Sequence, residues 1–526
     1  MTYTHDEILT AFKEHGRDTK KIAAALQVSE RTVRRWRSRL DRAFDDALPV
    51  QQGCIEAPDK RRVKLFGRRF VFTAAQNNTP VHERFLRALE VFCNKNDARL
   101  KVAKITYNKE GFQNLDKTRE GLWYDPRLED YFMSEAAEIT KGGARCTPLV
   151  WCGELDILPT AVRPLTGLET YTRDASGIVP HTKLCMQSVP TPLSSPTKFM
   201  YTTGAVTQRN YIPRKTGQKA DFCHVFGALY VEVTSTGEWF ARQLVANEQG
   251  DFYDLDAHYS AEGCIYGLSA DSITLGDIHA PRVSKQALAA ARKLIAALQP
   301  KYLVLHDLID FYSRSHWNKS DPHFMYRARA KTVEAEFMSA GLVLDNLVTY
   351  MPDTGYLIVA PSNHNYAFYQ WLKDPAGFRD PVNMKLWLEA NLDMCMAIEH
   401  DVPEYSSITY QRQVLKHVED TAHKRIKFLT LGDSFMHNEI ELGMHGHLGP
   451  NGTRGNIENL GKIGVKSTIG HVHAAGIRDG VFSAGVTSKL DLEYNRGPSN
   501  WSHSHVVQYK NGKRAIVTCI GEDWRA

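Results

Sequence analysis

Apolar and polar positions along this chain follow three successive regimes. Over the first 45 residues the apolar positions recur at helical spacing, and Asp6 to Glu14, Thr19 to Leu26 and Glu30 to Leu40 predict three short helices. Ile22, Ala23, Leu26, Val28, Val33 and Trp36 fall where a small helical core needs them, and Ser29 is placed to cap the third helix. Residues 46–62, with Pro49, Gly53 and Pro58, read as a linker. From Arg69 the pattern becomes strand (70–74), helix (81–94), strand (100–106), which predicts an α/β region over 63–270, with further strands at 199–204 and 226–233. From 271 onward strands at 273–275, 302–305 and 356–359 alternate with helices at 285–298 and Met325 to Ala340. Helical patterns fill much of 381–425, and 427–520 reads mostly as strands and turns, so the fold class expected for the whole is mixed α/β (α+β).

Composition changes this picture little. A chain of 526 residues exceeds the ~250–300 at which single cores stop growing, so several domains are expected. Lys and Arg number 65 against 60 Asp and Glu, and a net charge of +5 identifies no partner without local clustering. The nine cysteines are scattered, odd in number and without a C-x-x-C pair, which argues against a disulfide framework or a zinc site. No basic-then-apolar leader and no run of ~18–20 apolar residues stands in the sequence, and a soluble, cytoplasmic protein is expected.

Candidate chemistry gathers at the ends of the later strands. Asp277-Ile-His279, His306-Asp-Leu-Ile-Asp310, Ser362-Asn-His-Asn365, Met444-His-Gly-His447 and Gly470-His-Val-His473 each follow an apolar, strand-like run. Side chains distant in sequence would then meet at one edge of a sheet, the usual place for a site in an open α/β fold. The order and types of these five blocks resemble the calcineurin-like metallophosphoesterase superfamily. That resemblance implies a β-sandwich flanked by helices over 271–526 and two divalent metal ions, with Mn2+ the expected species. It assigns Asp277, His279, Asp307 and His473 to one ion, and Asp307, Asn363, His445 and His471 to the other, with Asp307 as the bridge. It further implies a water ionised between the ions as nucleophile, and His364 as the catalytic residue that assists the leaving group.

Departures from the family pattern mark what the resemblance leaves open. His306 replaces the usual glycine, and Ser362 and Asn365 replace the usual glycine and acidic residue, so Asp310 is only a candidate to orient His364. His447 and Arg454, the latter on the Gly-rich segment 451–456, are candidates for reaching a phosphate, each weighed against a structural role. The cluster Trp501 to His505 has no place in the metal scheme and reads as a loop or core feature.

The string Thr19 to Trp36 resembles helix-turn-helix DNA-binding modules, and residues 17–42 carry nine basic against three acidic side chains. Arg31, Arg34, Arg35 and Arg37 would contact DNA, against the plainer alternative of a small solvated helical domain. Lys198, Arg209, Arg214, Lys215 and Lys219 are candidates for a nucleic-acid path, with an ordinary solvated surface at least as good a reading. The chain thus divides into 1–45, 46–62, 63–270 and 271–526. With the amino-terminal module it resembles phage-encoded early DNases and double-strand-break-repair-type exonucleases, which implies a metal-dependent DNA nuclease that could work as a homo-oligomer. A small-substrate phosphodiesterase or phosphatase, and a non-catalytic DNA-binding regulator on the same scaffold, are the alternatives.

Overall fold

The computed structural model describes residues 10–11, 14–15, 18–33, 36, 62–109, 121–315, 318–328 and 331–526. By its internal contacts the chain divides into two units, Met1–Arg61 and Arg62–Ala526.

In the first unit the helix Thr19–Ala25 starts at Asp18, whose carboxylate accepts the N–H groups of Lys20 and Lys21. Ile22 and Ala23 turn inward against Ala11 and Val33, with Leu26 and Val28 packed around them. Gln27, at φ 48°, turns the chain, and the Ser29 hydroxyl accepts the N–H of Thr32 at 3.2 Å as helical backbone resumes over 30–33. The cap expected at Ser29 is therefore formed. Arg31 is exposed, while Arg34, Arg35 and Arg37 lie outside the described residues, as does most of the first expected helix.

The second unit is mixed α/β. Its six-stranded sheet runs in the order Ile426–Phe428, Tyr356–Val359, Tyr302–Leu305, Ser272–Thr274, Ser504–Gln508, Arg514–Thr518; the first four strands are parallel and the last two antiparallel. Alternation along its strands explains how both faces are covered. Val507, Ala515 and Val517 point into a core with the helices Lys285–Leu298, Val333–Val348, Asn363–Leu372 and Met384–Glu399, whereas Val506 and Ile516 point at Ile477, Phe482 and Ala484 of the largest sheet. Val304 and Ile358 meet Ile440 and Leu442 in the same way.

That largest sheet has eleven strands and joins distant parts of the chain. Strands between Val63 and Thr202 pair with strands between Met436 and Ser483 through Met186–Val189 against Gly476–Arg478. A cut at 270/271 would therefore split one sheet, and 63–270 shares its hydrogen bonding with 271–526. A four-stranded sheet contains the expected β-α-β unit, with Arg69–Gln76 parallel to Arg99–Ile105 and the helix Glu83–Asn96 between them. The single helix expected over Met325 to Ala340 is instead two, Pro322–Ala328 and Val333–Val348; the Thr332 hydroxyl accepts the N–H of Ala335 and starts the second. Two of the middle region's basic positions are engaged within the fold. Lys198 is buried against the carbonyls of Glu169 and Arg173, and Arg209 pairs with Glu248 at 2.8 Å. No described helix is long and apolar enough to cross a membrane.

Three buried histidines outside the ligand set give the fold an acid limit. Burial pushes His181 down to about 4, and His224 and His505 down to about 3. Because the unfolded chain takes up protons first, near 6.5, the stability these neutral rings contribute is intact above that value and is lost as pH falls through 6.5 toward their folded values. Each is expected to remove roughly 2 kcal/mol by pH 5. Urea unfolding at pH 7 and pH 5 should show a clearly lower midpoint at pH 5, and an unchanged midpoint would contradict this.

Candidate metal centre

Each sheet delivers its ligands at the carboxyl ends of parallel neighbours. Asp277 and His279 follow Ser272–Thr274, Asp307 follows Tyr302–Leu305, and Asn363 and His364 open the helix that follows Tyr356–Val359. From the eleven-stranded sheet, His445 follows Ile440–Glu441, and His471 and His473 follow Lys466–Ile469, its parallel neighbour. Two sheet edges thus converge on one point.

The ligand atoms of Asp277, His279, Asp307 and His473 lie within 4.8 Å of one another, as do those of Asp307, His445 and His471. Asn363 joins the second group, its Oδ1 3.1 Å from His445 Nε2. Asp307 belongs to both groups. All seven residues singled out from the sequence as ligands are brought together, and they could hold a metal ion.

Several observations fit a cation there. Asp307 is 1% exposed, yet neither carboxylate oxygen takes a hydrogen bond, and Asp277 Oδ1 is equally unpartnered. His279 Nε2 and His473 Nε2 face each other at 3.0 Å, and His473 Nε2 also approaches Asp277 Oδ2 at 2.9 Å. Neutral nitrogens and carboxylate oxygens aimed at a common space are the donor set a divalent ion needs. The backbone is held to it at a cost. His279, Asp307, His471 and His473 adopt φ of 52°, 43°, 65° and 58°, a region that costs a non-glycine residue ~1–3 kcal/mol and that gathers at functional sites.

Charge within the cluster is uneven. Burial pushes the Asp307 carboxyl up, but the imidazoles of His445, His364 and His279 outweigh it and hold it well below the usual carboxylate range. Burial lowers His279, and the hydrogen bond of Asp310 with the nearby carboxylates more than reverses this. His471 and His447 are pushed down to about 4, by burial first and then by His445, and burial likewise lowers His473. Imidazoles kept neutral at pH 7 have a free lone pair for an ion.

Asp310 does two things. Its Oδ1 holds His279 Nδ1 at 3.0 Å, which leaves Nε2 for the centre, and its main-chain oxygen accepts from His364 Nδ1. Asn365 plays no part in orienting His364, because its Oδ1 takes the Ser362 hydroxyl at 3.0 Å. The partner missing from the expected motif is thus replaced by the Asp310 carbonyl.

His306 is fully buried with both ring nitrogens unpartnered, its ring 5.5 Å from that of His445, and it packs beneath the ligands. His447 lies further out, ring centroids 5.4 Å from His445 and 6.1 Å from His471. Arg454 is exposed on the rim of a cavity of about 1740 Å³ that opens onto Asp307, Asn363, His364, His471 and His473.

Two residues first read as loop or core support the site. Trp501 packs edge-on against His473, ring centroids 4.2 Å apart, and lines the cavity. His505 Nδ1 accepts the N–H of Gly276, the residue before Asp277. Their partners lie far away in sequence, and only the alternation of the final strands could have marked His505 as inward-facing.

Residues 7–48 match the family model of the homeodomain-like domain. Over 490 residues, 90% of this chain and 85% of the relative, the chain is 36% identical to Protein A1 of Escherichia phage T5. No solved structure matches it.

Proposed function

This chain belongs to the family of Protein A1 of Escherichia phage T5, and from that premise and its buried centre we propose that it is a metal-dependent DNA nuclease of calcineurin-like metallophosphoesterase type. The observation that carries the reading is Asp307, a buried carboxylate shared by two groups of ligands with neither oxygen hydrogen-bonded. Asp277, His279, Asp307 and His473 would hold one divalent ion, and Asp307, Asn363, His445 and His471 the other, with Mn2+ suited to so many imidazoles. Bound there, the ions would ionise a water near neutral pH and draw charge from the phosphoryl oxygens.

The chain's own groups supply positioning and a proton. With Nδ1–H of His364 given to the Asp310 carbonyl, Nε2 faces the centre, 3.9 Å from Asp307 Oδ2. When the ring is doubly protonated, Nε2–H is the group placed to pass a proton to the leaving oxygen, which leaves a neutral ring with Nδ1–H still on the carbonyl.

DNA as substrate is supported by the match to a homeodomain-like domain, a fold that places a helix in the major groove. Cavity size supports a polymer as well, since about 1740 Å³ exceeds the ~300–1,000 Å³ usual for small ligands. The test compares linear DNA, covalently closed circular DNA and bis(p-nitrophenyl) phosphate in Mn2+. Cleavage of DNA is expected; hydrolysis of the small ester alone would replace the nuclease by a small-substrate phosphodiesterase, and silence on all three would favour a DNA-binding regulator.

A further inference from the structure

The wall of the cavity carries a pattern that the metal chemistry does not use. Tyr494, 57% exposed, and Trp501 stand on the segment between Ser488 and Ser504 and meet at 5.9 Å, with the Trp501 ring braced edge-on by His473. Tyr366, 59% exposed, lines the same cavity from the helix that carries Asn363 and His364. Large aromatic faces left open beside a buried polar centre are costly in water unless something flat covers them.

The cations of the same cavity fall into two kinds. Arg327 is paired with Glu493 at 3.2 Å. Arg454 and Arg496 line the cavity with no acidic partner among the described residues. Unpaired guanidinium groups beside exposed rings form the combination that holds single-stranded nucleic acid, where phosphates meet cations and bases stack on aromatic side chains.

We propose that Tyr494, braced by Trp501, is a base-stacking platform and that Arg454 and Arg496 hold phosphates next to the scissile one, so that the centre takes unpaired nucleotides. The proposal rests on the nuclease reading of the metal centre. It makes a duplex a substrate only where bases leave the stack, at a frayed end or by extrusion, at an energetic cost that single strands do not bear.

The test uses full-length, metal-stripped protein and a five-nucleotide DNA strand with a central 2-aminopurine, beside the same strand with an abasic centre. Binding should quench the 2-aminopurine, and Tyr494→Ala should weaken it roughly tenfold or more, while Tyr494→Phe, which keeps the ring, stays close to wild type. The abasic strand should bind weakly and show no dependence on residue 494. Equal affinity for the two strands, or Tyr494→Ala binding the base-bearing strand as tightly as wild type, would overturn the proposal. Circular dichroism of the variants separates a lost platform from a misfolded segment, and Tyr494→Phe supplies the ring-dependent comparison if the alanine variant misfolds. A chain that shows this ring-dependent binding yet cleaves no DNA in Mn2+ would support the platform and refute the nuclease.

Discussion

Asp307→Ala is expected to lower metal-dependent DNA hydrolysis by on the order of 10³-fold or more, because one carboxylate serves both ligand groups. Loss of any ligand confined to one group leaves the other group intact, whereas loss of Asp307 opens both. The same variant separates catalysis from folding. Asp307 takes no hydrogen bond by geometry, and His445 Nε2, 3.1 Å from its Oδ2, keeps Asn363 Oδ1 as a partner at 3.1 Å, so a folded chain is expected. Metal binding should raise the thermal midpoint of the wild-type protein through its preference for the folded state, and this rise should vanish in Asp307→Ala. A variant that keeps both the rate and the metal-induced rise would show that Asp307 bridges nothing.

Gly470→Ala is the second large effect, and it comes from space rather than charge. A Cβ on residue 470 would stand 2.1 Å from Asp277 Oδ1 and 2.8 Å from His306 Cβ. Neither neighbour can retreat: Asp277 is held by the N–H of His471 at 2.8 Å, and His306 is fully buried. The loop carrying His471 and His473 must therefore shift. Misplacement of about 1 Å can cost ~10²-fold in rate, and overpacking costs ~1–3 kcal/mol in stability. Steady-state rates at saturating metal, with a urea unfolding curve, are the measurements. Wild-type rate and stability together would mean that the loop has room the geometry denies it.

How far the sequence led depends on the range of the interaction that fixed each feature. The ligand set was readable because five blocks, each after an apolar strand-like run, resemble the metallophosphoesterase pattern in order and type, and strand and helix ends carry local signals. Ser284, whose hydroxyl accepts the N–H of Ala287, starts the helix Lys285–Leu298 where the pattern placed it. Thr332 and the acidic residues Glu334 and Glu336 gave the same kind of start signal, and the good helix formers that run through it from Met325 to Ala340 masked it. The eleven-stranded sheet was not readable, since nothing local to Met186–Val189 says that its partner is Gly476–Arg478, nearly 300 residues later. Distance hid the supports of the site as well. Trp501 gains its role from His473, and His505 from the N–H of Gly276. The orientation of His364 depends on a main-chain carbonyl, and a carbonyl leaves no trace in residue identity. At the amino terminus, the helix Thr19–Ala25 and the Ser29 cap agree with the pattern, the Asp18 cap was not singled out, and the arginines expected on the recognition helix beyond Arg31 fall outside the described residues.

The most direct test of the central claim is a Mn2+ titration of metal-stripped wild-type protein, with bound metal and DNA cleavage followed on the same samples. The arrangement around Asp307 predicts no cleavage in chelator, two ions bound per chain at saturation, and cleavage that rises only as the two sites fill. Full cleavage in chelator, or two bound ions without cleavage, would contradict it.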